Sequence, residues 1–362
     1  MEKNQYLYQQ IRDYLLDIIA LKHNAADYRL PSENQLCAKF GVSRISAKNA
    51  IARLQQENLV YRIRGKGTFI RGLPITALKP HAPFKNGIFC LVLPNLSSPF
   101  ILDIIEGCQD FFIKNNEQIF IICTQNKQSL EIQAVQHMLE KNVRGFIIFP
   151  ANGEQYNKEL FKLVLNGFPI VFIDRVLTGF DISSVSTDHV ASAFTATNYL
   201  ISKGKKNIGI ILSSPTNTSS LNDRLMGYEK AFIMNDLPIK INERLFLDRD
   251  EDFKSRIREF LQTNPQLDAI VSIGDKIGLD LYRTLEELRL QVPSELSLIF
   301  FDNEYETFKD FLPFFPTVIV QQAYQLGHEA ARVLVSLVGN PEADITRMLI
   351  PSKLVLGQST EG

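Results

Sequence analysis

From residue 87 onward one texture recurs: a short, continuous apolar run that stops at a turn or a polar residue. The runs are GIFCLVLP, IFIICT, VRGFIIFP, FPIVFID, NIGIIL, LDAIVSIGD and LSLIFFD. Between them lie amphipathic segments with helical spacing, for example 101–114, 128–141, 190–203, 222–235 and 276–290. A strand that is apolar throughout belongs in a sheet covered on both faces, and strands alternating with helices give parallel sheets. The pattern predicts an α/β domain with parallel sheets. Ligands of such folds bind beyond the carboxyl ends of the strands. That rule singles out the residues just after the runs: Ser97, Ser98 and Phe100, then Asp174 and Arg175, Asp275, and Asp302. Carboxylates and guanidinium groups flanked by an aromatic ring, with Arg224 of NDRLMGY added, suit a polyhydroxylated ligand. The polar groups bond hydroxyls and the ring packs on the C–H face of a sugar.

The first part of the chain has another character. The net charge of −1 hides an asymmetry, because residues 1–72 hold twelve Lys/Arg against six Asp/Glu. Within 39–71 there are eight cations and a single acid, Glu57, the footprint of phosphate binding. Apolar residues recur at helical spacing from Tyr6 to about Ala20. Ser32 then reads as an N-cap with Glu33 in the first turn, and Gly41 as a stop. A second helix begins after Ser43 and is expected to carry Ile45, Ala47, Ala50, Ile51 and Leu54 on one side. Two short helices joined at Gly41-Val42 make a helix-turn-helix. Its second helix presents Arg44, Ser46, Lys48 and Asn49 near the N-terminal end, where a major-groove reader needs donors. The stretch YRIRGKGTFI alternates apolar residues with Arg62, Arg64 and Lys66, and Gly65 and Gly67 permit positive φ at a turn. It predicts a hairpin wing with a cationic tip. A phosphate loop is excluded, since neither GxGxxG nor GxxxxGK[ST] occurs. Ser43, Arg64 and Gly67 complete the candidate DNA-facing set with Glu33.

The string LPSENQLCAKFGVSRISAKNAIARLQQENLVYRIRGKGTFI resembles the winged helix-turn-helix of the GntR family of bacterial transcription regulators, over about residues 5–71. The resemblance implies DNA contacts from Arg44, Ser46 and Lys48, with Glu33 opening the preceding helix and Lys66 and Gly67 at the wing tip. Asn34 and Lys48 stand where family members often have arginine, and lysine lacks the bidentate fork. Residues 72–86, with Pro74, Pro80 and Pro83, read as a semi-rigid linker. Over about 87–358, stretches such as GFPIVFIDR, RLMGYEKAF and PTVIVQQAYQLGHEAARVLVSL resemble the LacI/GalR regulator core, which is similar to periplasmic sugar-binding proteins. The fold implied is a two-lobed, class I periplasmic-binding-protein-like domain, with one lobe at about 87–184 and 318–341 and the other at about 185–317 and 342–362. The resemblance also implies ligand contacts from Ser98, Phe100, Asp174, Arg175, Arg224, Asp302 and Gln321, with Asp188 near a crossover. Gly274-Asp275 replaces the usual Asn-Asp. Helices 101–114 and 276–290 would carry dimer surfaces.

The expectation is thus an α+β DNA-binding head joined to an α/β sensor: a homodimeric repressor of carbohydrate-utilisation genes, released from operator DNA by arabinose, fucose or a similar monosaccharide. The alternatives are a sensor of a phosphosugar or nucleobase, and a cytoplasmic sugar-binding protein with no transcriptional role. An anion-sensing cleft calls for more cations than three aspartates allow. The opening MEKNQYLYQQIRDYL lacks the apolar core of a secretory leader, and no run approaches the about 18 apolar residues of a membrane span. These features set the expectation of a cytoplasmic protein with no membrane partner. Five scattered histidines and four isolated cysteines (Cys37, Cys90, Cys108, Cys123) offer no catalytic or metal-ligand spacing. No enzyme, metal or cofactor is expected.

Overall fold

A computed structural model describes residues 11–12, 14–16, 18–19, 28–56, 59–63, 65–70, 88–151, 157–176, 181–214, 218–248, 251–301, 312–340 and 343–361. The 72–86 linker, Arg64 and Asp302 lie outside the described residues, as does part of the expected first helix, whose described residues between 11 and 19 are helical. The chain forms two compact units.

In the first, α1 (Glu33–Phe40) opens on a capping box. Ser32 Oγ accepts from the Gln35 amide at 3.3 Å, and Gln35 Oε1 accepts from the Ser32 amide at 2.8 Å. Gly41 closes the helix at φ 63°, a left-handed conformation that costs glycine little, and donates to the Cys37 carbonyl. In α2 (Arg44–Gln56) Ser43 Oγ caps the Ser46 amide, and Ala47, Ala50, Ile51 and Leu54 are buried. Ile45 departs from the expected apolar face and is 71% exposed. Two residues before Ala47 means a rotation of about 200° around a helix of 3.6 residues per turn, which puts it opposite. β1 (Val60–Ile63) and β2 (Gly67–Ile70) pair antiparallel from Val60↔Ile70 to Ile63↔Gly67. A third segment joins β2 on its other side, where Leu30 donates to Thr68 and Ile70 to Tyr28.

The second unit holds two six-stranded sheets. In the first lobe β3 (Phe89–Leu93), β4 (Ile119–Cys123), β5 (Gly145–Ile148), β6 (Ile170–Ile173), β7 (Ser183–Thr187) and β13 (Arg347–Ile350) run in the order β13-β7-β6-β5-β3-β4, every pair parallel. In the second, β8 (Ile208–Ser213), β9 (Arg244–Leu247), β10 (Ala269–Ile273), β11 (Ser297–Phe301), β12 (Thr317–Val320) and β14 (Lys353–Val355) run β14-β12-β11-β10-β8-β9. Only β14 is antiparallel there, to β12. The helices between are α3 (Pro99–Lys114), α4 (Gln128–Glu140), α5 (Lys158–Leu165), α6 (His189–Ser202), α7 (Ser219–Met234), α8 (Phe253–Thr263), α9 (Asp275–Leu288) and α10 (Ala323–Gly339). The first lobe's core packs Ile104, Cys108 and Phe112 of α3 against Leu326, Ala330 and Leu334 of α10 and the strand residues Leu91 and Ile147. The second lobe has a core on each face of its sheet, one with α8 and α9 and the other with α6 and α7. Cys90 and Cys108 are buried free thiols, and burial pushes the Cys90 thiol up to about 12.

The chain passes between the lobes after β7, after β12 and after β13. These positions correct the expected boundaries. β7 keeps its pairing with β6 and β13 as far as Thr187, so the first passage falls at Asp188. β12 pairs with β11, which holds Val318–Val320 in the second lobe. β13 pairs with β7, which returns 347–350 to the first.

Candidate functional site

The exposed end of α2 is organised by one carboxylate. Glu33 is 9% exposed and accepts from Arg44 Nε at 3.0 Å and from Arg62 Nη2 at 2.7 Å. The Arg44 hydrogen bond above all, then that of Arg62, holds the Glu33 carboxyl below the usual carboxylate range against the opposing effect of burial. Because Glu33 engages Arg44 through Nε, the outer edge of a side chain that is 73% exposed faces solvent. Ile45, Lys48 and Asn49 are exposed beside it, and Ser46 is half-buried with its amide on Ser43. Lys66 is exposed at the wing turn between Gly65 (φ 78°) and Gly67 (φ 128°). A Cβ on Gly67 would come within 2.8 Å of Arg29 Nε, so an arginine that the sequence reading passed over lies against the wing. Helix start and wing are thus tied through Glu33.

In the second unit β6 is followed directly by Asp174, buried and in the left-handed region at φ 64°, a strained conformation for a residue with a Cβ. Its amide donates to the Val185 carbonyl at 3.0 Å. Arg175 Nε lies 3.9 Å from Asp174 Oδ2, Arg175 Nη1 donates to the Pro150 carbonyl at 3.3 Å, and the guanidinium lies 5.1 Å from the Phe149 ring centre. Phe149 meets Phe100 edge-to-face at 6.4 Å. From the other lobe come His189, the first residue of α6, and Arg224 of α7, both buried. His189 Nε2 is 3.3 Å from Asp174 Oδ1 and 3.4 Å from the Asp174 carbonyl. Arg224 Nε donates to His189 Nδ1 at 3.3 Å, with its guanidinium 4.1 Å from the Phe301 ring centre. Burial alone would raise the Asp174 carboxyl, but His189, Arg175 and Arg224 together hold it below the ordinary range. Burial pushes the neighbouring Asp223 upward, reinforced by the charge of Asp188.

Asp174, Arg175, Arg224 and Phe100 therefore gather on one aromatic-lined network. Gln321 sits at the second passage between lobes, buried, and accepts from Thr187 Oγ1 at 2.7 Å. Asp188 caps α6 by accepting from the Ala191 amide at 2.9 Å. Ser98 precedes α3 with no side-chain capping bond. Asp275 begins α9 after Gly274, while Asp302 lies beyond the described residues. His189, Asp223, Phe149 and Phe301 were not among the expected ligand-binding residues. Phe149 and Phe301 close apolar runs, so the strand-end rule applied one residue earlier reaches them. His189 directly follows a residue that was chosen.

Residues 7–70 match the gntR family of bacterial regulatory proteins, and residues 89–342 match the periplasmic binding protein domain. The chain is 24% identical over 369 residues to the arabinose metabolism transcriptional repressor of Geobacillus stearothermophilus, covering 99% of both. It superposes on the transcription regulator CcpA of Lactococcus lactis with a TM-score of 0.67 at 20% identity, covering 76% of this chain and 100% of the other. A LacI family transcriptional regulator from Enterococcus faecium with bound ribose gives 0.62 at 20% identity, covering 75% and 98%. Those two likenesses carry the fold. The chain belongs to the periplasmic binding protein domain family, and it carries ahead of that domain a helix-turn-helix head of the gntR family.

Proposed function

We propose that the protein is a dimeric transcriptional repressor of carbohydrate-utilisation genes, released from its operator when a monosaccharide such as arabinose or fucose binds between the lobes. The observation that carries this reading is the meeting of Asp174 from one lobe with Arg224 from the other through His189. A carboxylate, guanidinium groups and aromatic rings in one buried place fit the hydroxyls and C–H face of a sugar. Because the groups come from both lobes, a ligand that recruits them also sets the angle between lobes, the hinge motion of this class of fold. The full-length likeness to an arabinose metabolism repressor supports both halves of the proposal. An anionic effector is disfavoured, since Asp174, Asp188 and Asp223 stand together against two guanidinium groups.

In this reading Arg44, Ser46, Lys48 and Asn49 read the major groove, with Ser43 capping their helix. Glu33 positions Arg44, and Arg64, Lys66 and Gly67 belong to a wing on the backbone. Ser98, Phe100, Asp174, Arg175, Asp188, Arg224, Asp275, Asp302 and Gln321 surround the sugar, and 72–86 joins head to sensor. Dimerisation fits the outer strand β4, whose exposed Phe120 lines a hollow of about 300 Å³ with Ile113 of α3. Among the described residues no helix is long and apolar enough to cross a membrane.

A thermal-shift screen of pentoses, hexoses and deoxysugars tests the effector, since a ligand at 100 times its Kd adds about 2.7 kcal/mol. The sugar that raises the melting midpoint should release the protein from operator DNA in a fluorescence-anisotropy titration. Release by a phosphosugar or nucleobase while neutral sugars have no effect would overturn the choice of effector.

A further inference from the structure

We propose that His189 is the effector-positioning residue of the cleft, a neutral imidazole that sets the Asp174 carboxylate of one lobe in register with the Arg224 guanidinium of the other. The inference rests on the reading that the cleft takes a monosaccharide. Its starting point is donor and acceptor chemistry. A guanidinium has five N–H donors and no acceptor, so the nitrogen that takes Arg224 Nε–H at 3.3 Å presents a lone pair. That nitrogen is Nδ1, which places the ring proton on Nε2 and leaves the imidazole uncharged. The Nε2–H then goes to the Asp174 backbone carbonyl at 3.4 Å, while the carboxylate Oδ1 lies 3.3 Å from Nε2 and takes no hydrogen bond among the described residues. One ring thus accepts from its own lobe's cation and donates to the other lobe's backbone at the residue that carries the anion.

The surroundings hold each member of this chain in place. Arg224 is fixed in orientation by the Phe301 face, and it uses Nε for the histidine. Asp174 is fixed by its left-handed backbone and by its amide bond to Val185. His189 opens α6 directly after Asp188, whose carboxylate is engaged at the Ala191 amide. The charged groups around the ring are Asp174, Arg224 and Asp223, with Asp188 and Arg175 one step further out. An apolar residue at 189 would remove the acceptor of the Arg224 Nε–H and the donor to the Asp174 carbonyl, and with them this link between the lobes. The position therefore selects a short, uncharged side chain that both accepts and donates, and it sets the separation at which a sugar finds the carboxylate and the guanidinium.

Glutamine meets the same demand, with Oε1 accepting from Arg224 and Nε2–H donating to Asp174, whereas alanine meets none of it. The test uses the full chain in three forms: wild type, His189→Ala and His189→Gln. In the sugar-free protein, 15N NMR of the imidazoles, assigned by the signal lost in H189Q, should show His189 Nδ1 unprotonated and Nε2 protonated. The opposite tautomer or a doubly protonated ring overturns the proposal, and this readout requires no effector. Anisotropy titrations with L-arabinose, D-fucose and D-ribose against operator DNA supply the second readout. H189A should bind sugar-free operator as wild type does but require about 10- to 100-fold more sugar for release. H189Q should recover most of that loss. Equal sugar responses of wild type and H189A, or an H189Q as impaired as H189A, overturn the role of His189 while leaving the effector reading intact. A wild type that answers none of the sugars overturns both together.

Discussion

Arg44 has a side chain 73% exposed while its Nε is fixed on Glu33, so under the proposed function the side chain at the start of α2 is oriented before DNA arrives. Replacing Arg44 with Ala should abolish operator binding by anisotropy and leave the sugar-induced thermal shift intact. Persistent specific binding at physiological salt would remove α2 from the reading role. Glu33→Gln keeps the shape but loses the charge that gathers Arg44 and Arg62. Charge-assisted bonds contribute about 1.5–3 kcal/mol, reduced here because both arginines are largely exposed, so a loss of roughly threefold to tenfold in operator affinity is expected. The sign of the pH effect follows from the direction of the Glu33 shift. A carboxyl held below its ordinary range stabilises the folded head above that range, and the contribution fades as pH falls through the lowered value. Wild type should lose stability on acidification by this contribution and E33Q should not. Lys66→Ala removes a different kind of contact, a point charge on an exposed turn, and should weaken specific and non-specific DNA alike while lowering the salt slope by about one. At this scale the sequence was informative wherever a side chain had to be exposed at a helix start or turn. It was silent on Glu33 as a shared anchor and on His189, because those roles depend on partners 29 and 35 residues away.

Between elements the decisive contacts are helix pairs brought together by glycine. A Cβ on Gly107 of α3 would collide with the Tyr324 carbonyl oxygen, and one on Gly327 of α10 with that of Ile104. Gly227 of α7 has the same relation to Val190 of α6, so both lobes contain such a close crossing. Gly327→Ala has to push α10 off α3, and about 1–3 kcal/mol of stability should be lost as for other overpacked cores. Gly339→Ala, in the last turn of the same helix with open space around it, should be neutral or stabilise by up to about 1 kcal/mol. Thermal melts followed by circular dichroism measure both, and equal midpoints would remove the crossing as the reason for the glycine. The same physics explains which elements could be read in advance. β3, β5, β6, β10 and β11 are buried at every position and are spelled with near-continuous apolar runs. β7 is buried at every position too, yet reads SSVST, and the edge strands β13 and β14 have three or four residues each. Apolar periodicity carries no signal for a polar buried strand or a short edge, and two of the three misplaced passages between lobes fall at such strands, β7 and β13. The helices 158–165, 253–263 and 323–339 likewise stood outside the segments first singled out.

For the whole molecule, the proposed function raises the question of why a sugar should alter DNA binding at all. Operator half-sites lie about one helical turn apart, ~34 Å, so two heads held at a fixed spacing bind with the advantage of linked sites, about 10²- to 10⁴-fold over one head. A repressor of this kind therefore depends on the surface that pairs two copies as much as on the recognition helix. The outer edge of the first lobe has the composition for that task. Ile113 of α3 is 72% exposed and Phe120 of β4 is 54% exposed, both lining one hollow with Ile119 and Phe112. Among the described residues β4 has a strand partner on one side only, so its backbone also presents a sheet edge. Ile113→Glu and Phe120→Glu place charge where an apolar face would be desolvated, while their exposure leaves the fold of the lobe undisturbed. Sedimentation velocity should show the double variant as a monomer with an unchanged melting midpoint. Its operator affinity should fall by about 10²-fold or more as linkage between heads is lost, although Arg44 and its helix are untouched. Sugar binding, measured by thermal shift, should survive, because the cleft lies within one chain. A double variant that remains dimeric moves the pairing surface elsewhere on the sensor; a monomer that still binds operator with full affinity removes dimerisation from the mechanism.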